Sequence, residues 1–328
     1  MDKIRNNTIV KKIGFNSLVL LCVLVLLFIL FAILTPIMKP GTTFLSYSRI
    51  VSIFNYAYFL GFLSLGVTFV IATGGIDFSI GPVMYCAELI SGQLLTKNGL
   101  PIGACLLISI LVGIIFGCIN GILVAYGGLP SFITSMASMM IAKGVGSVFT
   151  KTQSVSWPGG WYQNLVKWTV GGVEIPTGII ILFVGAAICA VVLNQTRIGR
   201  YILCIGSNRE AVRLSGVDTK KWEMLAYIIC GALAGVAAIF YVTVYTTVLP
   251  GGGDTFNNDA IAGCVMGGTS MAGGVASIGG TLIGVVIISL LQVGILAMGY
   301  QSQYQYVITG LIVLVVVYAD LRSRRRSN

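Results

Sequence analysis

Apolar residues run along this chain in stretches long enough to cross a lipid bilayer, separated by short polar joints. A spanning helix needs about 20 apolar residues. The pattern offers ten candidates: 18–38, 50–72, 77–95, 101–126, 130–150, 177–194, 222–248, 259–273, 277–299 and 304–320. The eighth is short and glycine-rich, and is the one candidate for a half-helix that does not fully cross. The first run follows a basic N-terminus, as a signal peptide would. It lacks a small-residue cleavage site, is followed by Thr35-Pro36, and is read as a retained span.

The joints are unequal. Residues 197–222, RIGRYILCIGSNREAVRLSGVDTKKW, hold eight of the thirty charged residues, six of them basic. Further basic clusters sit at Lys3, Arg5, Lys11 and Lys12, and at Arg322, Arg324, Arg325 and Arg326. Cytoplasmic loops carry an excess of Lys and Arg. With the N-terminus in the cytoplasm, six crossings return the chain there at residue 195 and four more return the C-terminus. All three clusters then share one face. This divides the chain into a basic cytoplasmic N-terminus (1–17), a membrane domain (18–320) with a cytoplasmic loop at 195–221 and a large outer loop at 151–176, and a basic cytoplasmic tail (321–328). The outer loop carries Trp157, Trp161, Tyr162 and Trp168, suited to a membrane interface or to a docking surface.

The same parity exposes a repeat. Segments 50–150 and 222–320 each offer four spans and enter from opposite faces. Each has a glycine-rich interruption after its first span, ATGGIDFSIGP (72–82) and LPGGGDTFNNDAIAG (249–263). Inverted repeats with broken helices near the midplane shape substrate paths in many transporters. The expected fold is therefore all-α: a polytopic integral membrane protein of about ten transmembrane helices in two inverted-topology repeats.

Composition agrees. The chain is 56% hydrophobic and 9% charged, where soluble domains carry about 25% charged residues. Its 42 glycines suit close helix packing in lipid. The net charge of +10 falls in the three clusters rather than on a nucleic-acid-binding face. There is no histidine, which removes imidazole bases and histidine metal ligands. Eight cysteines, none in a C-x-x-C pair, read as small buried hydrophobes.

Few residues inside the spans offer chemistry. Asp77 fits a helix N-cap after Gly74 and Gly75, or a polar role along a path with Ser79 and Gly81. Asp259 and the run Gly267-Gly268-Thr269-Ser270 look like a second broken element, either packing helices tightly or exposing backbone to a polar solute. Glu88 and Lys143 are the only charges well inside predicted spans, and lie at similar depth. They are expected to pair, with outward snorkelling of Lys143 as the alternative. Gly117, Asn120 and Gly121 in the fourth span and Gln292 in the ninth either bridge helices or line a sugar-sized polar path. The chain contains no G-x-x-x-x-G-K-[ST] phosphate loop. An ATP-driven process would need its ATPase on another chain.

Motifs along most of the chain point to one family. TRIGRYILCIGSNREAVRLSG (196–216), GGIDFSIG (74–81), PSFITSMASM (130–139), DAIAG (259–263), GGTSMAGGVASIGGTLIG (267–284) and YQYVITGLIVLVVVYAD (304–320) occur in the family's order. Together they resemble the ribose-type monosaccharide permeases of bacterial ABC importers. Asn257-Asn258 before Asp259 depart from that pattern, where an acidic residue and a leucine are usual.

The resemblance implies an inner-membrane permease that forms a translocation pathway and performs no covalent chemistry. It implies a coupling helix around Asn208, Glu210, Ala211, Arg213, Leu214, Ser215 and Gly216, flanked by Arg197, Gly199, Arg200 and Gly206, that docks into a cytoplasmic ABC ATPase. Candidate path residues are Gly75, Asp77, Ser79, Gly81, Asn120, Asp259, Gly268, Thr269 and Ser270. Implied partners are that ATPase, a periplasmic or lipid-anchored sugar-binding protein, a second permease copy (identical or related), the monosaccharide and lipid. ATP and magnesium belong to the ATPase, and no cofactor or metal is expected on this chain. The rival reading is an ion-coupled secondary transporter of a small polar solute, which would place coupling-ion carboxylates or histidines at the midplane.

Overall fold

The computed structural model describes residues 15–327. The basic cluster at Lys3, Arg5, Lys11 and Lys12 lies outside them. Eleven α-helices make up most of the described chain: α1 (Phe15–Met38), α2 (Tyr47–Ala72), α3 (Ile80–Asn98), α4 (Ile102–Ala125), α5 (Ser131–Phe149), α6 (Gly178–Gln195), α7 (Arg197–Leu214), α8 (Thr219–Val244), α9 (Asp254–Met266), α10 (Ile278–Ala297) and α11 (Gln303–Ser327). Short strands β1 (Val155–Ser156), β2 (Trp168–Val170), β3 (Val173–Ile175) and β4 (Thr247–Val248) join them.

Among the described residues, seven helices are long and apolar enough to cross a membrane: those at 18–38, 47–72, 102–125, 131–149, 178–195, 219–244 and 278–297. Helices also stand at the other three predicted places, but they differ from plain spans. The third predicted span begins at Ile80 rather than 77, because residues 75–79 run without helical structure. The eighth shifts to Asp254–Met266, and residues 267–277 are turns. Thirteen residues of helix cover about 20 Å, less than the hydrocarbon core of about 30 Å. α11 occupies the tenth place.

Two helices form the centre. α2 is buried along nearly its whole length, and α8 packs against it. The main contacts come in matching pairs: α4 lies on α8 while α10 lies on α2, and α3 also touches α8 while α9 touches α2. Glycines set the α4–α8 distance. A methyl group at Gly113, Gly117 or Gly121 would collide with backbone at Gly231, Tyr227 or Met224, and one at Gly235 with Ser109 and Ile110. This is a small-residue seam at four-residue spacing, through which two backbones approach closely. On the outside, α1, α4, α5 and α6 expose Leu, Ile, Val and Phe, as surfaces facing lipid do.

The connections also pack. β1 pairs antiparallel with β4, tying the α5–α6 connection to the α8–α9 connection. β2 and β3 form a hairpin whose Trp168, Val170, Val173 and Ile175 are exposed, whereas Trp157 is buried against Tyr162.

Candidate functional site

Three regions carry polar chemistry. The first is the charged island. Residues 197–214 form one helical run, α7, broken at Asn208 (φ −159°, ψ 95°). Before the break, Gly199, Ile202 and Ile205 face inward; from Ser207 to Gly216 every residue is exposed except the half-buried Val212. Asn208 accepts the Ala211 N–H through Oδ1 (3.0 Å), an N-cap for the second segment. Gly216 ends it at φ +83°, a left-handed conformation glycine adopts without strain. Arg200, Arg209, Ala211, Leu214 and Ser215 are exposed.

Two ion pairs brace this element. Arg209 holds Glu223 of α8 with two hydrogen bonds (3.2 and 2.6 Å), and Glu210 takes two from Arg213 (2.9 and 2.6 Å). The Arg213 guanidinium keeps the Glu210 carboxyl below the usual carboxylate range, and Arg213 is raised in turn. At its other end α7 is wedged into the core. A methyl on Gly206 would strike the Ala72 carbonyl and the Gly274 N–H, groups that are themselves hydrogen-bonded to each other (3.0 Å). α7 therefore touches both the start of the first glycine-rich interruption and the irregular stretch that follows α9.

The second region is the interruptions themselves. Asp77 is buried, and its Oδ1 accepts from the Ser79 N–H (2.8 Å) and Ser79 Oγ (2.6 Å). Asn120 donates to Ser79 Oγ (2.9 Å) and to Asp77 Oδ2 (3.4 Å), and accepts from Ser138. Ser79, not Asp77, occupies the N-cap position of α3; Asp77 lies two residues earlier and ties the non-helical stretch to α4. Gly75 lies against the Tyr227 hydroxyl. Gly81 meets Gly253 backbone to backbone, and its N–H is accepted by Asn257 Oδ1 (3.2 Å). Hence the two interruptions meet, and one of the two unusual asparagines makes the junction. In the broken element after α9, Gly268 is left-handed (φ +91°), Thr269 Oγ1 accepts from Ser277 N–H (3.2 Å), and Ser270 N–H donates to Val275 O (3.0 Å). These three residues build a tight turn.

One expected pairing fails. Lys143 forms its ion pair with Asp254 in the first turn of α9, not with Glu88. Asp254 was not singled out because it stands outside the expected spans, and the shifted start of α9 brings it into reach. Glu88 is fully buried, with neither carboxyl oxygen hydrogen-bonded. Its backbone carbonyl accepts the Trp157 indole N–H (3.3 Å).

The third region is a cavity of about 560 Å³, near the β1–β4 pair, that the sequence did not disclose. It opens between the start of α2 (Arg49, Ser52, Tyr56), the end of α8 (Tyr241, Tyr245), the start of α9 (Phe256), the end of α10 (Gln292, Leu296) and the start of α11 (Gln305). Phe256 packs against Tyr56, Tyr85 and Tyr241. Behind this wall, buried Asp259 accepts from Tyr56 Oη (2.7 Å) and Gln305 Nε2 (3.0 Å). Gln292 Oε1 is buried with no hydrogen-bond partner. Only polar residues one helical turn apart, such as Ser52 and Tyr56 or Tyr241 and Tyr245, hinted at it; five elements contribute, and no local spacing reveals that they converge. A second cavity of about 470 Å³ lies beside α7, lined among others by Gly74, Tyr126, Ser131, Arg209, Lys220 and Glu223.

An apolar helical bundle with broken, glycine-rich segments meeting inside it and a polar-aromatic cavity is, by class, a polytopic membrane permease. The chain belongs to the family described as "Branched-chain amino acid transport system / permease component", which it matches over residues 49–317. It is 31% identical to the ribose import permease of Escherichia coli K12 over 303 residues, covering 90% of this chain and 92% of the relative. The Bacillus subtilis ribose import permease is 31% identical over 90% of both chains. A fructose import permease of Bifidobacterium longum is 32% identical over 77% of this chain and 72% of its own. No solved structure matches this chain.

Proposed function

We propose that this permease imports a neutral monosaccharide as the membrane subunit of an ABC transporter, with α7 as the element gripped by a separate ATPase. The observation that carries the coupling role is α7 itself. Its second segment presents Glu210, Arg213 and Leu214 outward, while Gly206 is locked against Ala72 at the start of the first interruption and Gly274 in the stretch after α9. A partner that moves this helix moves the membrane core with it. ATP and magnesium would act in that partner.

The substrate follows from relatives and from chemistry. The relatives named above import ribose and fructose, whereas the family description names branched-chain amino acids. An amino acid presents a carboxylate and an ammonium, and a dedicated site pairs both. The cavity is lined by neutral polar groups and aromatic rings with Arg49 as its single charged lining residue, which suits a polyol better.

The same reading takes the chain across the inner membrane ten times with both termini cytoplasmic, in two inverted repeats. Three contacts favour it. β1 on β4 brings residues 155–156 and 247–248 together, and ten crossings would set both on one face. Tyr47 donates to the Glu174 carbonyl, a contact that ten crossings would allow by setting the start of α2 beside the outer loop. Ala72, Gly206 and Gly274 meet one another, and the same count would set all three on the other face. The reciprocal packing of α4 on α8 and α10 on α2 is the pairing an inverted repeat produces. A second permease copy and a sugar-binding protein on the outer side would complete the transporter.

The test is reconstitution with the ATPase and binding protein in vesicles. ATP-dependent accumulation of D-ribose or D-fructose, lost when the ATPase is omitted, is the expected result. Uptake of either sugar that survives without the ATPase, driven by an ion gradient, would overturn the assignment.

A further inference from the structure

We propose that the cavity between α2, α8, α9, α10 and α11 is a binding station for a polyhydroxylated ligand, in which Gln292, Gln305 and Tyr56 receive ligand hydroxyls, Phe256 and Tyr245 offer ring surface, and Asp259 acts from behind as the positioning residue. The inference rests on the sugar-import reading and deepens it.

The hydrogen-bond inventory decides the ligand chemistry. Asp259 Oδ2 receives both the Tyr56 O–H and a Gln305 N–H. A carboxylate accepts only, so the Gln305 amide nitrogen must face it and the carbonyl oxygen is turned the other way. Tyr56 likewise spends its one proton on Asp259 and has lone pairs left over. Gln292 adds a third acceptor, a buried Oε1 without a partner. A buried carbonyl with no hydrogen bond costs about 1–3 kcal/mol, so its retention in a cavity wall points to a ligand that supplies the missing donor. Three acceptors converging in one aromatic cavity, with Arg49 its single charged lining residue, match a molecule with several O–H donors and an apolar ring face. At these three positions a carboxylate's oxygens would meet oxygens, and Arg49 is the one charged lining group that would pair with it. The volume of about 560 Å³ lies within the usual range for small-molecule sites.

Asp259 touches the ligand in no part of this scheme. It fixes which end of Gln305 and which face of the Tyr56 hydroxyl a ligand meets. Asp259→Asn retains one oxygen that accepts both bonds and should preserve the arrangement. Gln305→Leu removes one acceptor and leaves the Tyr56 contact in place.

The experiment uses the full transporter in vesicles, with exposed Cys22 and Cys204 replaced by Ser and a reporter thiol at Leu296→Cys on the cavity wall. A membrane-impermeant thiol reagent is applied with binding protein carrying D-ribose, with sugar-free binding protein, and with L-leucine. D-Ribose should slow modification by about tenfold, while L-leucine leaves it unchanged. The protection should persist in Asp259→Asn, and fall by about fivefold or more in Gln305→Leu or Gln292→Ala while ATPase co-purification is retained. Equal rates with and without D-ribose, in vesicles that import D-ribose, would overturn the station and leave the importer standing. Protection by L-leucine would overturn the polyol assignment. Failure of the same vesicles to import either sugar would instead overturn the underlying reading.

Discussion

Single buried polar residues in this protein divide into those that are satisfied and those that are not. Asp77 receives two bonds from Ser79 and one from Asn120. Asp77→Ala strands those donors inside the bundle, and each orphaned buried group costs about 1–3 kcal/mol. We expect a loss of about 2–4 kcal/mol, read as a lower unfolding temperature in detergent. Glu88 is the opposite case: its carboxyl has no partner, so Glu88→Gln removes nothing the fold relies on. Thermal stability should change by less than about 1 kcal/mol or rise. The expected Glu88–Lys143 pair was inferred from depth alone. Depth is legible in a sequence, but the face of a helix on which a charge stands is not, and Asp254 faces Lys143 only because α9 starts five residues before its predicted span.

At the scale of elements, glycine spacing and helix caps were the most legible features. Asn208 and Gly216 bound the second segment of α7, as the motif around them implied. The extension of the helix back to Arg197 was not anticipated, because a charged run also suits a solvated loop. Replacing Glu210 by Arg sets two like charges one turn apart on an exposed face. The chain should still insert, and the amount of ATPase that co-purifies should fall by about tenfold. The native pair tolerates acid: a depressed Glu210 pKa means its contribution is present above the ordinary carboxylate range near pH 4 and fades only as pH falls through the lowered value. ATPase retention through this pair should thus be level from pH 8 to pH 5 when measured by co-purification.

The α4–α8 seam gives a sharper element-scale contrast. Gly231→Val drives a branched side chain into Gly113 and Gly117 and should cost about 3 kcal/mol or abolish the monodisperse peak in size-exclusion chromatography. Gly103→Ala, in open space on the same α4, should be neutral or stabilising by about 0.5–1 kcal/mol.

Across the whole molecule, hydropathy located the seven described helices that are long and apolar enough to cross a membrane to within a few residues, because burial in lipid imposes one rule over long stretches. The cavity escaped because its walls come from five separate elements brought together only by packing. The β1–β4 pair joins two distant connections, one of which continues from Tyr245 in the cavity wall, and we expect the pair to part if the cavity opens. A Ser156→Cys, Thr247→Cys double variant, bridged by oxidation, should halt sugar accumulation reversibly, with transport restored by reductant; unchanged transport in the oxidised form would refute a moving outer rim. Elsewhere in the bundle, Gly206 abuts Ala72 and Gly274 together. A displacement of that single residue is shared at once by the two halves of the chain, so neither half can respond alone. If α7 is the element a motor moves, its stroke would be synchronised by steric contact, without any need for a signal relayed through the interior.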